Sequence, residues 1–99
     1  MYNVSVSSLE FEWDDNKSRL NHAKHGVTFE EAASAFGDES GFVMDDPDHS
    51  DEEDRFVLLG FSSAGRLLVV VHCHRQAARV IRIISARRAT KTEHSIYSR

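Results

Sequence analysis

Val80-Ile81-Arg82-Ile83-Ile84-Ser85-Ala86-Arg87-Arg88-Ala89-Thr90-Lys91-Thr92-Glu93 is the stretch on which the reading of this chain turns. Its apolar residues predict a strand over residues 79–84. Ser85-Ala86 predicts a small turn. Thr90 followed three residues later by Glu93 is a capping-box pattern, predicting a short helix from Thr90 to about Ser98. Arg82 stands between Ile81 and Ile83, and a charge is rarely buried without a partner. Two readings follow: a strand with one solvated face, or a cleft in which Arg82 and Arg87 hold an anion.

Working back toward the N-terminus, residues 67–74 read as a strand preceded by a turn at Ser62-Ser63-Ala64-Gly65, and residues 55–61 as its hairpin partner. The unbroken apolar run at residues 67–71 predicts a central strand covered on both faces. Residues 46–54 form an acidic loop around Pro47; its spacing lacks the glycine and the terminal glutamate of an EF-hand calcium loop. Residues 41–45 are a short strand candidate. Thr28-Phe29-Glu30-Glu31 is another capping-box pattern, opening a helix over residues 29–36 that buries Phe29, Ala32, Ala33 and Phe36 and stops at Gly37. A more polar helix over residues 16–25, capped by Asp14 or Asp15, is expected to turn Leu20, Ala23 and Val27 inward and to end at Gly26. Before it, Leu9, Phe11 and Trp13 alternate with acidic residues, the period of a half-buried strand. The expected order is β-α-α-β-β-β-β-α: an α+β fold with an antiparallel sheet, two N-terminal helices and a short C-terminal helix.

Ninety-nine residues, 40% apolar and 28% charged, make one soluble domain over residues 1–99. No apolar run approaches the length that spans a bilayer, and the first residues lack the pattern of a secretory signal, so no membrane role is expected. Cys73 is the single cysteine, which excludes an intrachain disulfide and suits a reducing cytoplasm. The net charge of −4 hides a division: residues 1–54 carry fifteen Asp/Glu against three Lys/Arg, and residues 55–99 carry nine Lys/Arg against one Glu. Either the halves neutralise each other within the fold, or the basic half meets a polyanion.

The candidates for chemistry are few. Six histidines include the pairs His22/His25 and His72/His74, but no second cysteine and no His-Glu-x-x-His pattern supports a metal site. Cys73 sits in an apolar strand, Ser85 has no glycine-flanked elbow, and the glycines do not gather into a phosphate loop. What remains suits phosphodiester cleavage without metal or cofactor, which needs a base, an acid and cations against the charged phosphorane. Arg55, Arg82 and Arg87 are candidate cations, because the guanidinium fork matches phosphate oxygens, with Arg79 and Arg88 further out. Lys24, His25, Glu53 and His74 are the groups available for proton transfer.

The segments FEWDDNKSRLNHAKHGVTFEEAASAFGD, EDRFVLLG, RLLVVV and RVIRIISARRATKTEHSIY, in this order, closely resemble the BrnT family, toxins of type II toxin–antitoxin pairs. The resemblance runs from Phe11 to about Tyr97; its most specific parts are Lys24-His25-Gly26-Val27 and Ile83-Ile84-Ser85-Ala86-Arg87. It implies a RelE-like ribonuclease fold and metal-independent RNA cleavage that halts translation and growth. It implies neutralisation by a BrnA-like ribbon-helix-helix antitoxin, through which the complex reaches operator DNA and represses its own operon. Carried over residue by residue, it marks Lys24, His25, Arg55, Arg82 and Arg87. The chain departs from the family pattern in two places: Asp54, not glutamate, precedes Arg55, and His74-Arg75 stands where many members have a glutamate–arginine pair. The acidic run at residues 45–54 is expected to limit RNA binding or to meet a basic antitoxin segment. The competing expectation is a non-catalytic binding module that acts as a co-repressor with a DNA-binding partner.

Overall fold

The backbone folds around one mixed sheet of six strands, ordered β1-β2-β6-β5-β4-β3. The computed structural model describes residues 2–6, 9–46, 55–75 and 79–98. Along the chain these are β1 (Tyr2–Val6), β2 (Leu9–Trp13), α1 (Asp15–His25), α2 (Phe29–Ser34) running into a 3-10 turn (Ala35–Gly37), β3 (Phe42–Asp45), β4 (Arg55–Phe61), β5 (Leu67–Arg75), β6 (Val80–Arg88) and α3 (Lys91–Tyr97). The architecture is the expected α+β. The sheet is mostly antiparallel, but β2 runs parallel to β6, and β1, to which sequence reasoning assigned no strand although Tyr2, Val4 and Val6 alternate with Asn3 and Ser5, forms a hairpin with β2.

Local chemistry explains most element boundaries. Asp14 caps α1, its carboxylate accepting from the amides of Asn16 and Lys17, and Gly26 closes the helix at a φ of 71°, where a side chain is strained. Thr28 caps α2 through the Glu31 amide. The expected return half of that capping box is replaced: the Glu31 carboxylate is taken by Arg66 and by the Ser62 hydroxyl at 2.7 Å, which ties α2 to the β4–β5 turn. At Thr90 both halves of the box form.

Helix α1 departs from expectation. Leu20 is 70% exposed and Ala23 is exposed, while the helix buries Asn21. The cause is a gap in the sheet: β2 stops pairing with β6 at Arg82, so the backbone of Ala86 needs other partners. The Asn21 amide supplies them. Its Nδ2 donates to the carbonyl of Ala86 at 2.8 Å and to that of Val27 at 2.9 Å, and its Oδ1 accepts from the Ala86 amide at 3.1 Å. One side chain thus stands in for a strand residue, which only a group with both donor and acceptor can do.

The main core fills the space between the sheet and α2: Phe11, Trp13, Val27, Phe29, Ala32, Ala33, Leu58, Leu68, Val70, Ile81 and Ile83 are buried. Fully burying each large member contributes about 1.5–3 kcal/mol. A smaller cluster lies on the other face, where Leu59, Leu67 and Val69 sit under Ile96 and Tyr97. Strand β5 is therefore covered on both sides, as its apolar run predicts.

The expected turn at Ser85-Ala86 is not a turn. Strand β6 continues through it to Arg88 and absorbs one extra residue: Val71 faces Ser85 and His72 faces Ile83, leaving Ile84 without an opposite number. This β-bulge at Ile84 shifts the alternation of every later side chain.

Candidate functional site

Side chains alternate across a strand, so Arg82 and Arg87, five residues apart, belong on opposite faces of a regular strand. The bulge reverses that. Arg82 lies opposite Cys73 and Arg87 opposite Val69, both odd-numbered residues of one face of β5. That is the face away from α2, and α3 partly covers it.

Three rows of side chains cross this face. The first is charged: Glu12 of β2 faces Arg82 of β6, which faces Cys73 of β5, which faces Arg55 of β4. Beyond Arg55 its carbonyl accepts from the Asp46 amide at 3.0 Å. Arg55 and Arg82 are two strands apart, a Cα separation of about 10 Å. The second row, Ser85, Val71, Val57 and Met44, is nearly apolar. The third, Arg87, Val69, Leu59 and Phe42, runs beneath α3. Together they shape a groove of about 470 Å³ with an apolar floor at Val57, Val71 and Ile84 and a polar rim at Asp46, Arg55, Ser85, Arg87 and Glu93.

Arg75, Arg82 and Arg87 are held by carboxylates. Glu12 Oε1 lies 3.1 Å from Arg75 Nε and 3.7 Å from Arg82 Nη1, so one carboxylate braces two guanidiniums. Glu93 takes Arg87 in a bidentate pair at 2.8 and 2.9 Å and also accepts from the Thr90 amide at 2.8 Å. The two Arg87 bonds, reinforced by that amide, hold the Glu93 carboxyl down at about 2, and Arg87 rises in turn.

The residues expected from sequence divide. Arg55 and Arg87 line the groove and Arg82 stands in the charged row of the same face. His74 projects from the opposite face, its ring 4.9 Å from Phe56 and stacked 5.4 Å from His72. Arg88, opposite Leu68, also points to the α2 side, where its charge acts on Glu31. Arg79 is exposed at the entry to β6. Lys24, exposed, and His25, half-buried, sit at the C-terminal end of α1, outside the groove lining. Glu53 lies outside the described residues, as does most of the acidic loop.

Glu12, Arg75 and Glu93 are the residues that sequence reasoning left out. The signal for Glu12 was present: Phe11 and Trp13 point inward, so Glu12 points to the other face. Chemically, the face offers cations spaced to grip an anionic chain, an apolar floor on which a flat ring can lie, and carboxylates beside the cations.

The family profile described as "Ribonuclease toxin, BrnT, of type II toxin-antitoxin system" matches residues 13–93. Among solved structures, the 1.1 Å crystal structure of the Brucella abortus ribonuclease toxin, BrnT, is similar to this chain with a TM-score of 0.62 and 23% sequence identity, over 82% of this chain and 96% of that one. At that identity the likeness concerns the fold. No curated protein matches the chain at a significant level.

Proposed function

The chain belongs to the BrnT family of ribonuclease toxins of type II toxin–antitoxin systems, and we propose that it is an endoribonuclease that cleaves RNA without metal, blocks translation and arrests growth. The observation that carries this reading is the bulge of β6, which gathers Arg82 and Arg87 with Arg55 on one face around an apolar-floored groove in a chain of net charge −4. Arginines there neutralise phosphates and meet the charge that develops on the phosphorane, while a base rests on Val57 and Val71. An arginine cannot serve as the base. The candidates for proton transfer are Lys24, His25, Glu53 and His74, and the carboxylates nearest the arginines add Glu12. Neutralisation by a BrnA-like ribbon-helix-helix antitoxin, repression of the operon through that antitoxin's DNA contacts, and action in the cytoplasm complete the proposal. No helix among the described residues is long and apolar enough to cross a membrane.

Growth after induced expression tests it. Wild type arrests growth, its antitoxin relieves the arrest, and Arg82→Ala abolishes it while the variant still folds and binds the antitoxin. Arrest by both proteins removes Arg82 from the mechanism. One observation favours the second reading, a non-catalytic co-repressor: His74 lies across the sheet from the arginine row, and Lys24 and His25 lie outside the groove lining. Under that reading neither protein arrests growth and both bind the antitoxin.

A further inference from the structure

Strand β3 is an edge strand that presents apolar residues to solvent. All four of its residues are exposed, with Phe42 at 36%, Val43 at 49% and Met44 at 42%. It pairs with β4 on one side, and among the described residues no strand pairs with the other. The hydrogen-bond phase follows from one bond: the Asp46 amide donates to Arg55, so Asp46, Met44 and Phe42 are the residues whose amides face β4. The amides and carbonyls of Val43 and Asp45 therefore point outward, toward the open edge. Exposed edges are ordinarily guarded by lysine, proline or a bulge. Phe42–Asp45 has no lysine or proline, and its pairing with β4 is regular.

Charge selects the occupant. Residues 38–54 hold nine Asp/Glu and no Lys or Arg, and the apolar triplet sits between Asp38-Glu39 and Asp45-Asp46. Two copies of this edge bring like charges together, and an RNA chain is repelled. We infer that the outer edge of β3 is a docking site for an extended segment of the antitoxin with alternating apolar and basic residues, which adds a seventh strand through Val43 and Asp45. This rests on the reading of the chain as a toxin with a protein antitoxin. The apolar side chains of such a strand lie against those of β3 and its basic ones reach the flanking carboxylates. Met44 and Asp45 also line the groove, so a strand added here borders the groove mouth and the arginines within it. Docking and neutralisation then share one place.

Val43→Pro isolates the claim, because the proline removes an outward amide that β4 does not use, and edge strands accept proline. Val43→Lys is the companion variant, keeping the backbone and opposing a basic partner. Affinity for the cognate antitoxin is measured by calorimetry, with growth arrest scored in parallel. Both variants are expected to fold, to arrest growth as wild type does, and to bind the antitoxin at least about tenfold more weakly, the loss corresponding to about one backbone hydrogen bond. Wild-type affinity in both overturns the inference. If the wild type neither arrests growth nor binds the antitoxin, it is the toxin reading that fails. The edge is then judged with a Lys-Val-Lys-Val-Lys-Val peptide titrated into isotope-labelled protein. Amide shifts confined to residues 42–45 and absent in Val43→Pro support it; shifts elsewhere, or none, overturn it.

Discussion

Asn21 shows how much a single polar side chain can decide. Its three hydrogen bonds reach the carbonyls of Val27 and Ala86 and the amide of Ala86. Replacing it with alanine leaves buried backbone groups unpaired. Asn21→Ala is expected to cost about 2–4 kcal/mol, read as a lower urea midpoint at unchanged m-value. His72 is the second such residue. It is fully buried, its Nδ1 lies 3.1 Å from the Val70 carbonyl, and its ring is packed among Phe36, Phe56 and His74. Burial is the main cause that lowers it from 6.5 to about 4; the nearby His74 lowers it further, and only the Val70 carbonyl opposes them. The unfolded chain therefore binds a proton near pH 6.5 that the folded chain refuses until about pH 4. The contribution of neutral His72 is complete above pH 6.5 and is lost as pH falls from 6.5 toward 4, amounting to about 3 kcal/mol at the lower end. Denaturant midpoints between pH 7 and pH 4 are expected to follow that fall in wild type and to lose that component in His72→Phe.

Among the elements, β6 and α3 govern the proposed site. Helix α3 has no buried residue of its own; Thr90, Glu93 and Tyr97 fix it. Tyr97 donates its hydroxyl to Asp38 at 2.7 Å and packs edge-on against Phe61, while Glu93 serves the helix cap and Arg87 together. Glu93→Ala is expected to lower stability by about 1 kcal/mol, through the cap and a partly exposed ion pair. It also frees Arg87. Single-stranded RNA binding should then tighten, with the plot of log affinity against log salt steeper by about 0.7, the share of one added phosphate contact. An unchanged slope means that Arg87 does not reach RNA.

The same elements mark where sequence reasoning succeeds and stops. Capping residues, the alternation in β2 and the apolar run of β5 are local signals, and the helices and most strands follow from them. The course of β6 was misjudged because a bulge is defined by the opposing strand; a Ser-Ala pair alone looks like a turn. Asn21 was invisible because its main partner lies 65 residues away, and the helix that carries it is polar nearly throughout. Of the candidate site, arginine as the residue type was legible. Which arginines share a face depended on that bulge, and the carboxylates that brace them depended on neighbours across the sheet.

At the scale of the molecule, the division of charge has a spatial counterpart. The acidic first half supplies β3 and, through Glu12, the brace of the arginine row; the basic second half supplies Arg55, Arg75, Arg82 and Arg87 on strands β4 to β6. The acidic residues at Asp45-Asp46 border the same groove. Carboxylates and guanidiniums are interspersed around it, with Asp46 beside Arg55 and Glu93 paired to Arg87. The central claim, that this arginine face is a metal-independent ribonuclease site, is tested most directly by purified protein and single-stranded RNA in the presence of a chelator. Wild type is predicted to cleave, and Arg82→Ala, with thermal stability unchanged, to lose about 10²–10³-fold in kcat/KM, the loss that follows removal of one group stabilising transition-state charge. Cleavage by Arg82→Ala at the wild-type rate, or none by wild type once metal is removed, contradicts the account.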